Sequence, residues 1–180
     1  ILAPEGCSLI DADSAQIEAR VLAWLAEQDD LVDAFAAGED VYIKMAARIY
    51  DKAEADVTKE ERFVGKTTVL GAGYGMGAVR FREQLKNFGT DIPEEEARRI
   101  IKIYRETNYN IYTIWKDAQN MLVYLSRGDA LSFGCNNLLT VDVEHNALRL
   151  PSGLLLRYEE LKGEEGEMGV EYTYKTRRGR

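Results

Sequence analysis

The sequence contains few cysteines, a single histidine and no long apolar run. Cys7 and Cys135 are its only cysteines, so a disulfide framework and the paired-cysteine spacing of a zinc site are both excluded. We interpret both thiols as small buried apolar groups in a reducing cytoplasm. No apolar segment approaches the ~18 residues of a membrane span, so no membrane partner is expected. The single histidine, His145, lies in a turn-like segment and is a weak candidate for a catalyst.

The charge of the chain is acidic overall but unevenly distributed. The 31 Asp and Glu residues against 23 Lys and Arg give a formal net charge of -8, which differs from the basic footprint of most duplex-binding domains. Net charge does not describe local patches, however. Acidic residues concentrate at 91–96 and 162–169, whereas basic residues recur between 62 and 86. The total charge therefore leaves binding of nucleic acid open.

One segment carries a row of side chains spaced four residues apart: Arg62, Lys66, Leu70 and Tyr74. On a helix such residues share one face, here with two cations at one end and a phenol at the other. A deoxynucleoside triphosphate has a matching layout of anionic phosphates, apolar sugar and stacking base, and Arg and Lys both suit phosphate. The alternative is an ordinary solvated helix face. Five glycines between positions 65 and 77 also weaken an isolated helix, by ~1 kcal/mol each.

A second segment joins a predicted strand to a predicted helix. Residues 8–13 form a short apolar run that ends in acid, which is typical of a buried strand. Asp11 and Asp13 would lie on one face of it, and such carboxylates are costly to bury unless a cation such as Mg2+ binds them. Ser14 is predicted to cap a helix over residues 15–27. The core-facing side of that helix is predicted to comprise Ile17, Val21, Leu22, Trp24 and Leu25.

Capping signals and periodicity predict helices first and strands afterwards. Further helices are expected over residues 31–35, 41–50, 76–87, 94–107 and 111–127, with one more beginning after residue 58. Their predicted N-caps are Asp40, Thr58 in a capping box with Glu61, and Asp91. The aromatic stripe that includes Trp115 is interpreted as core. Period-two segments predict strands at 138–143, 147–150, 154–161 and 169–176.

Two motifs in this chain resemble those of the family A DNA polymerases, the family of bacterial DNA polymerase I and many phage replicases. Arg62-x3-Lys66-x7-Tyr74-Gly75 resembles motif B, and Asp13-Ser-Ala-Gln-Ile-Glu-Ala-Arg20 resembles motif A. The resemblance implies an α+β fold: the mostly helical fingers of a polymerase with part of the palm and a small antiparallel sheet. Residues 1–30 would be the palm portion, residues 31–129 the fingers, and residues 130–180 strands leading back toward the palm.

The resemblance also implies a site for metal and nucleotide. Asp13 and the carbonyl of Ser14 would bind Mg2+, as two ions in the complete enzyme, with Mn2+ as a substitute. Asp13 and Lys66 would be the catalytic residues. The deoxynucleoside triphosphate would contact Gln16, Glu18, Tyr42, Arg62, Lys66, Leu70 and Tyr74. The DNA template would contact Arg20, Gly71, Tyr74 and Gly75.

Three of these positions carry a specific expectation. Glu18 would lie against the sugar, disfavour a 2′-hydroxyl and hydrogen-bond Tyr74. Tyr42 stands where the family often has a histidine that holds the triphosphate, and a phenol donates one hydrogen bond without positive charge. Leu70 stands where the best-known members have Phe or Tyr, so altered turnover and sugar discrimination are expected.

The chain lacks the family's His-Asp-Glu motif C, which carries the second catalytic aspartate. It begins with Ile1 and ends on Arg-Arg-Gly-Arg, and we expect it to be a piece of a longer polypeptide that is inactive alone. The parent would extend a DNA primer-template with deoxynucleoside triphosphates, in the host cytoplasm if it is phage-encoded. The missing palm and thumb would be its partner.

Two other interpretations remain open at this point. Residues 73–78 match Gly-x-Gly-x-x-Ala, which after a strand at 67–70 would indicate a dinucleotide-binding module. No repeating strand-helix pattern surrounds this match. The chain could also be a catalytically inactive scaffold of polymerase ancestry.

Overall fold

The structure is a computed structural model that describes residues 2–166 and 169–175. Seven α-helices occupy the first part of these described residues: α1 (Ile17–Leu25), α2 (Asp29–Ala36), α3 (Val41–Tyr50), α4 (Lys59–Gly73), α5 (Ala78–Asn87), α6 (Glu94–Thr107) and α7 (Tyr109–Arg127). Strands follow: β1 (Ser132–Phe133), β2 (Leu139–Asp142), β3 (Ala147–Arg149), β4 (Leu155–Arg157), β5 (Glu159–Gly166) and β6 (Gly169–Lys175). The predicted α+β class is confirmed.

The strands form two antiparallel units. The first four make one sheet in the order β1-β2-β3-β4, in which Val141 pairs with Leu148 and Leu148 in turn pairs with Leu156. Strands β5 and β6 form a separate hairpin. The single strand predicted over 154–161 is thus two elements, and the last residue of the strand predicted over 169–176 lies outside the described residues. Asp40 and the Thr58–Glu61 capping box begin α3 and α4 as predicted.

The core lies between the helices, with the sheet added at one side. Its most deeply buried large side chains come from α3 to α7: Ile49, Thr68, Phe81, Leu85, Ile100 and Ile111. The buried hydroxyl of Thr68 donates to the carbonyl of Val64 at 2.8 Å, so this hydroxyl is paired within the core. Among the described residues, no helix has the length and apolar character needed to cross a bilayer.

Helix α4 packs closely on α3 because position 65 has no side chain. A Cβ added to Gly65 would lie 2.3 Å from the carbonyl oxygen of Tyr42 and 3.0 Å from the amide nitrogen of Ala46. Real carbon atoms do not approach backbone atoms that closely, so α3 and α4 would have to separate. The glycine that weakens an isolated helix is therefore what brings these two helices together.

We expect Gly65→Ala to lower the free energy of unfolding by about 1–3 kcal/mol, because the added methyl group overfills the α3–α4 contact. Urea unfolding followed by circular dichroism measures this change. Gly77→Ala is the matched control, since no atom lies within 4 Å of a Cβ built there, and it should cost less than about 1 kcal/mol as an N-cap change. Equal losses in the two variants would contradict the close-packing account.

Several expectations about the N-terminal segment are wrong. Residues 8–13 are exposed and form no strand, because none of the described strands lies beside them to pair with their backbone groups. The helix begins at Ile17, with Gln16 as N-cap in a left-handed conformation at φ 55°, so Ser14 is not the cap. Cys7 is exposed and Cys135 is half-buried, rather than both being core groups.

The predicted core face of α1 is also largely wrong. The buried residues of this helix and its end are the alanines at 19, 23 and 26, because small side chains permit close approach to neighbouring helices. Ile17, Val21 and Trp24 are between 42% and 50% exposed, while Leu22 and Leu25 pack against the core from its edge. Helix α6 begins after Pro93 rather than after a cap at Asp91.

Candidate nucleotide-binding site

The predicted row of four side chains lies along α4 and its C-cap. Thr58 and Glu61 fix the start of the helix, since the Glu61 amide donates to Thr58 Oγ1 at 3.2 Å and the Thr58 amide donates to Glu61 Oε2 at 2.9 Å. From this start Lys66 is exposed, Leu70 is half-buried, and Tyr74 at the C-cap is 59% exposed. The row therefore lies on an accessible edge of the helix.

The first member of the row, Arg62, is held by α3. Its Nε and Nη2 both lie 2.8 Å from Asp40 Oδ2, and its guanidinium carbon lies 5.4 Å from the centre of the Tyr42 ring. The other oxygen of Asp40 accepts hydrogen bonds from the amides of Tyr42 and Ile43. One carboxylate thus caps α3 and orients the fork of donors on Arg62.

The pKa of Asp40 reflects these contacts. Partial burial acts to raise it, but the hydrogen bonds from Arg62, Ile43 and Tyr42, together with the charge of Arg62, outweigh burial and lower it below the ordinary value. A carboxylate with a lowered pKa in the folded state stabilises the fold above its unfolded pKa of about 3.9. That contribution is lost as the pH falls through the folded pKa.

We expect Asp40→Asn to lower the free energy of unfolding by about 0.5–1 kcal/mol at neutral pH, because Asn keeps the cap but loses the charge opposite Arg62. The difference from the parent should shrink as the pH falls below about 4, where the parent's carboxylate also becomes neutral. The urea unfolding midpoints of Asp40→Asn and of the parent, measured between neutral pH and pH ~3, give this difference. In an Arg62→Gln background the pH-dependent difference should become smaller, leaving the part due to the Tyr42 and Ile43 amides, and an unchanged difference there would contradict the pairing.

The last member of the row, Tyr74, meets the segment that contains motif A. Glu18 of α1 lies near Tyr74, and its carboxylate, together with some desolvation, raises the pKa of the Tyr74 phenol. Both residues line a cavity of about 360 Å³ whose other walls include Leu70, Val69 and Trp115. Residues of the two predicted motifs, 56 positions apart at Glu18 and Tyr74, therefore line one cavity.

Trp115 is a part of this site that sequence reasoning assigned to the core. Its indole Nε1 donates to the carbonyl of Gly73 at 2.7 Å, which satisfies one of the last carbonyls of α4. The side chain remains 38% exposed. An aromatic residue in a helix stripe carries no signal that distinguishes this position from a core position, so only the tertiary structure could identify it.

Motif A supplies an exposed carboxylate rather than a formed metal centre. Asp13 and Ser14 are both exposed, and the Ser14 carbonyl accepts a hydrogen bond from the Ile17 amide at 3.3 Å. No group of three or more His, Cys, Asp or Glu side chains that could hold a metal ion exists among the described residues. The hard oxygens of Asp13 and Ser14 fit one side of a magnesium site.

The predicted template-contacting residues differ in their surroundings. Arg20 Nε donates to the Ala15 carbonyl at 3.0 Å, and its guanidinium lies 4.7 Å from the centre of the Phe35 ring. Gly71 is buried, and a Cβ there would lie 3.1 Å from the flexible end of Met76. Gly75 has φ +75° in the turn after α4, a conformation that favours glycine. The template roles of all three stay predictions.

Comparison with known proteins decides the family. A family model described as DNA polymerase family A matches residues 1–122, a span that includes both motifs and helices α1 to α6. The chain belongs to DNA polymerase family A. The strands, which follow residue 122, lie outside the matched span.

Individual relatives of this family A chain are bacterial. The chain is 38% identical over 106 residues to DNA polymerase I of Deinococcus radiodurans, covering 59% of this chain and 11% of the relative. It is 32% identical over 116 residues to DNA polymerase I of Aquifex aeolicus, covering 64% and 20%. The chain thus spans between about a tenth and a fifth of these relatives. Origin from a phage stays a prediction.

A solved structure gives the same assignment. The POL domain of Pol1 from M. smegmatis, in complex with DNA primer-template and dNTP, is 28% identical with a TM-score of 0.52. The similarity covers 67% of this chain and 20% of that chain. The dinucleotide-binding interpretation is wrong, because residues 67–70 lie inside the helix Lys59–Gly73 and so provide no strand before the glycines.

Proposed function

We propose that this family A chain forms the fingers and part of the palm of a template-directed DNA polymerase. The complete enzyme would add deoxynucleotides to the 3′ end of a primer, and the chain alone would be inactive. The observation that carries the proposal is the cavity that both Glu18 and Tyr74 line, which joins motif A to the end of the motif B helix. The domain limits at residues 30 and 129 belong to the same proposal.

The triphosphate would lie along the row on α4. Lys66, which is exposed, would bind phosphate directly as a point charge. Arg62 would exchange its contacts with Asp40 for phosphate oxygens, a change from one anion to another. Leu70 would then face the sugar, and Tyr74 the base pair.

Residues outside α4 would contact the sugar and the triphosphate from the other side. Glu18, which lines the same cavity as Tyr74, would exclude a 2′-hydroxyl, and Gln16 in its left-handed turn would lie beside it. Tyr42 is only 6% exposed, with Arg62 beside its ring. We therefore propose that its phenol acts mainly by positioning Arg62 and reaches the nucleotide with at most one hydrogen bond.

Asp13 and the carbonyl of Ser14 would hold magnesium together with residues outside this chain. When bound, the divalent ions lower the pKa of the primer hydroxyl and stabilise charge on the transferring phosphate. The described residues contain no group of three or more His, Cys, Asp or Glu side chains that could hold a metal ion, at Asp13 or elsewhere. This is the physical basis for proposing that the chain needs the missing palm and thumb for activity.

Titration with dATP, with and without a primer-template, tests the nucleotide site. Trp115 is the reporter, because it lines the same cavity as Tyr74, and Trp24→Phe leaves it as the single tryptophan. Saturable quenching by dATP, absent with NAD, is expected. No response to dATP would contradict the site.

Primer extension separates a polymerase part from an inactive scaffold. The chain alone is expected to extend nothing, while the chain joined to its native downstream sequence should extend a primer in Mg2+. Extension by the chain alone would mean that another carboxylate of this chain completes the metal site. No extension by either protein would favour the inactive scaffold.

A further inference from the structure

The backbone on both sides of Tyr74 is glycine. Gly73 is the last residue of α4, Tyr74 is its C-cap, and Gly75 follows at φ +75°. Glycine restricts its own backbone less than any other residue, because it has no Cβ. The end of α4 by itself therefore determines the direction of the Tyr74 side chain only weakly, although Tyr74 lines the nucleotide cavity.

Trp115 of α7 contacts both of these glycines. Its indole Nε1 donates to the carbonyl of Gly73 at 2.7 Å, and that carbonyl belongs to the peptide group that leads directly into Tyr74. A Cβ built on Gly75 would lie 4.0 Å from Cδ2 of the same indole. One side chain therefore binds the backbone immediately before Tyr74 and lies beside the backbone immediately after it.

The other hydrogen bonds of this turn are internal to it. The Tyr74 amide donates to the Gly71 carbonyl at 3.1 Å, and the Gly75 amide donates to the Ala72 carbonyl at 2.9 Å. Such bonds keep the local shape of the turn but move with it. Within the described structure, the bond from Trp115 is the one hydrogen bond that ties this turn to another helix, and it spans 42 positions of the chain.

The surroundings of Trp115 fit a role at the cavity rather than in the core. Its side chain is 38% exposed. It lines the cavity of about 360 Å³ together with Tyr74, and it lines a separate depression of about 300 Å³ together with Gly75. The indole thus forms a wall between these two spaces. Burial alone does not account for so exposed a side chain, whereas the bond to Gly73 accounts for the indole N–H.

We propose that Trp115 is a positioning residue of the nucleotide site, which acts through Gly73 on Tyr74. With the Gly73 carbonyl held, the peptide group before Tyr74 has one orientation, and the phenol stays at the cavity near Glu18. Without the indole N–H, the turn would rotate about its glycines and the ring would leave this place. The positioning of Tyr74 rests on the contacts themselves, whereas its consequence for the nucleotide rests on the proposed function.

Titration of Tyr74 in the 180-residue chain tests the positioning without any nucleotide. The Glu18 carboxylate raises the pKa of the Tyr74 phenol, so this pKa reports whether the ring stays near Glu18. Fluorotyrosine incorporated at position 74 alone gives one fluorine NMR signal that follows ionisation of the phenol. Benzothienylalanine at position 115 keeps the shape of the indole but has sulfur in place of the N–H. It should lower the pKa of Tyr74 toward the value in Glu18→Gln.

The same replacement at Trp24 is the matched control. Trp24 lies on α1 with 43% exposure, close to that of Trp115, and its indole N–H donates no hydrogen bond in the described part of the chain. The pKa of Tyr74 should there equal that of the parent. In a Glu18→Gln background the replacement at Trp115 should cause no further fall, because the charge that reports the position is gone. An unchanged pKa after loss of the Trp115 N–H, or an equal fall from the replacement at Trp24, would overturn the proposal.

Primer extension by the chain joined to its native downstream sequence tests the consequence for the nucleotide. Trp115→Phe should raise the KM for the correct dNTP about three- to tenfold, the factor that one net hydrogen bond supplies, and leave kcat within about twofold. Trp24→Phe should leave both constants close to those of the parent. A lower kcat with an unchanged KM would mean that less of the enzyme is folded, and it would overturn the role of Trp115 in nucleotide binding.

The two proposals can fail separately. A fall in the pKa of Tyr74 needs no nucleotide, so this fall in a chain whose parent does not bind dATP would count against the proposed function and leave the positioning by Trp115 intact. Normal dATP binding and primer extension in the parent, with neither the pKa of Tyr74 nor the KM changed by loss of the Trp115 N–H, would count against the positioning alone.

Discussion

Asp13→Ala is expected to abolish primer extension by this chain joined to its native downstream sequence, with a loss of at least about 10³-fold in rate. Such a factor corresponds to about 4 kcal/mol of transition-state stabilisation, the size expected when a metal-ion site would lose a carboxylate ligand. Single-turnover extension in saturating dNTP and Mg2+ measures the rate. Binding of dATP to the 180-residue chain alone should change little, because Lys66 and Arg62 remain.

Asp11→Ala is the matched control for this prediction. Asp11 is also an exposed carboxylate, two residues earlier on the same segment without regular structure. Asp11→Ala removes the same charge from the same segment. It should slow primer extension less than about threefold, because the role of Asp13 is to bind the metal ions and not only to supply negative charge. Comparable losses from both variants would mean that the segment, rather than Asp13 itself, binds the metal ions.

Lys66→Ala is expected to weaken dATP binding by about 10- to 100-fold, equivalent to roughly 1.5–3 kcal/mol for a hydrogen bond between charged groups. The expectation depends on the exposure of Lys66 and its position one turn after Arg62 on α4. Unfolding should be unaffected, since no ion pair of Lys66 exists in the described structure. Quenching of Trp115 by dATP and by deoxyadenosine measures the two affinities.

Deoxyadenosine lacks the phosphates and provides the internal check. Its weak binding should be the same in the parent and in Lys66→Ala, because Lys66 would contact only the triphosphate. Lys86→Ala, an exposed lysine at the end of α5, should leave dATP affinity within about twofold. Loss of deoxyadenosine binding in Lys66→Ala would indicate a changed fold instead of a lost phosphate contact.

The helices could be read from the sequence because their signals are local. Capping residues such as Asp40 and Thr58 act on amides two or three positions away, and Gly128 ends α7 at φ +73°. The turn-like segment at His145 lies between β2 and β3, as predicted. The observed limits of helices and strands differ from the predicted limits mainly where the local sequence pattern is weak, as at Asp91 and in the strand predicted over 154–161.

The predictions that failed depended on neighbours that a sequence does not specify. Residues 8–13 have strand composition, but a strand exists only where another strand pairs with it. Helix α1 has apolar residues on more than one side, and its alanines rather than Ile17, Val21 and Trp24 proved to face the core. Hydrophobic character identifies candidates for burial without identifying which helix approaches from which direction.

The sequence by itself determined the family and the helical row from Arg62 to Tyr74, because both depend on residue type and spacing along the chain. Asp13 as a metal ligand stays a prediction implied by the resemblance. Only the tertiary structure decided that Asp40 holds Arg62, that Glu18 meets Tyr74 and that Trp115 satisfies the carbonyl of Gly73. These contacts join positions from 22 to 56 residues apart. They arise from the packing of helices, which follows from surface shapes such as the close approach at Gly65 rather than from any local pattern.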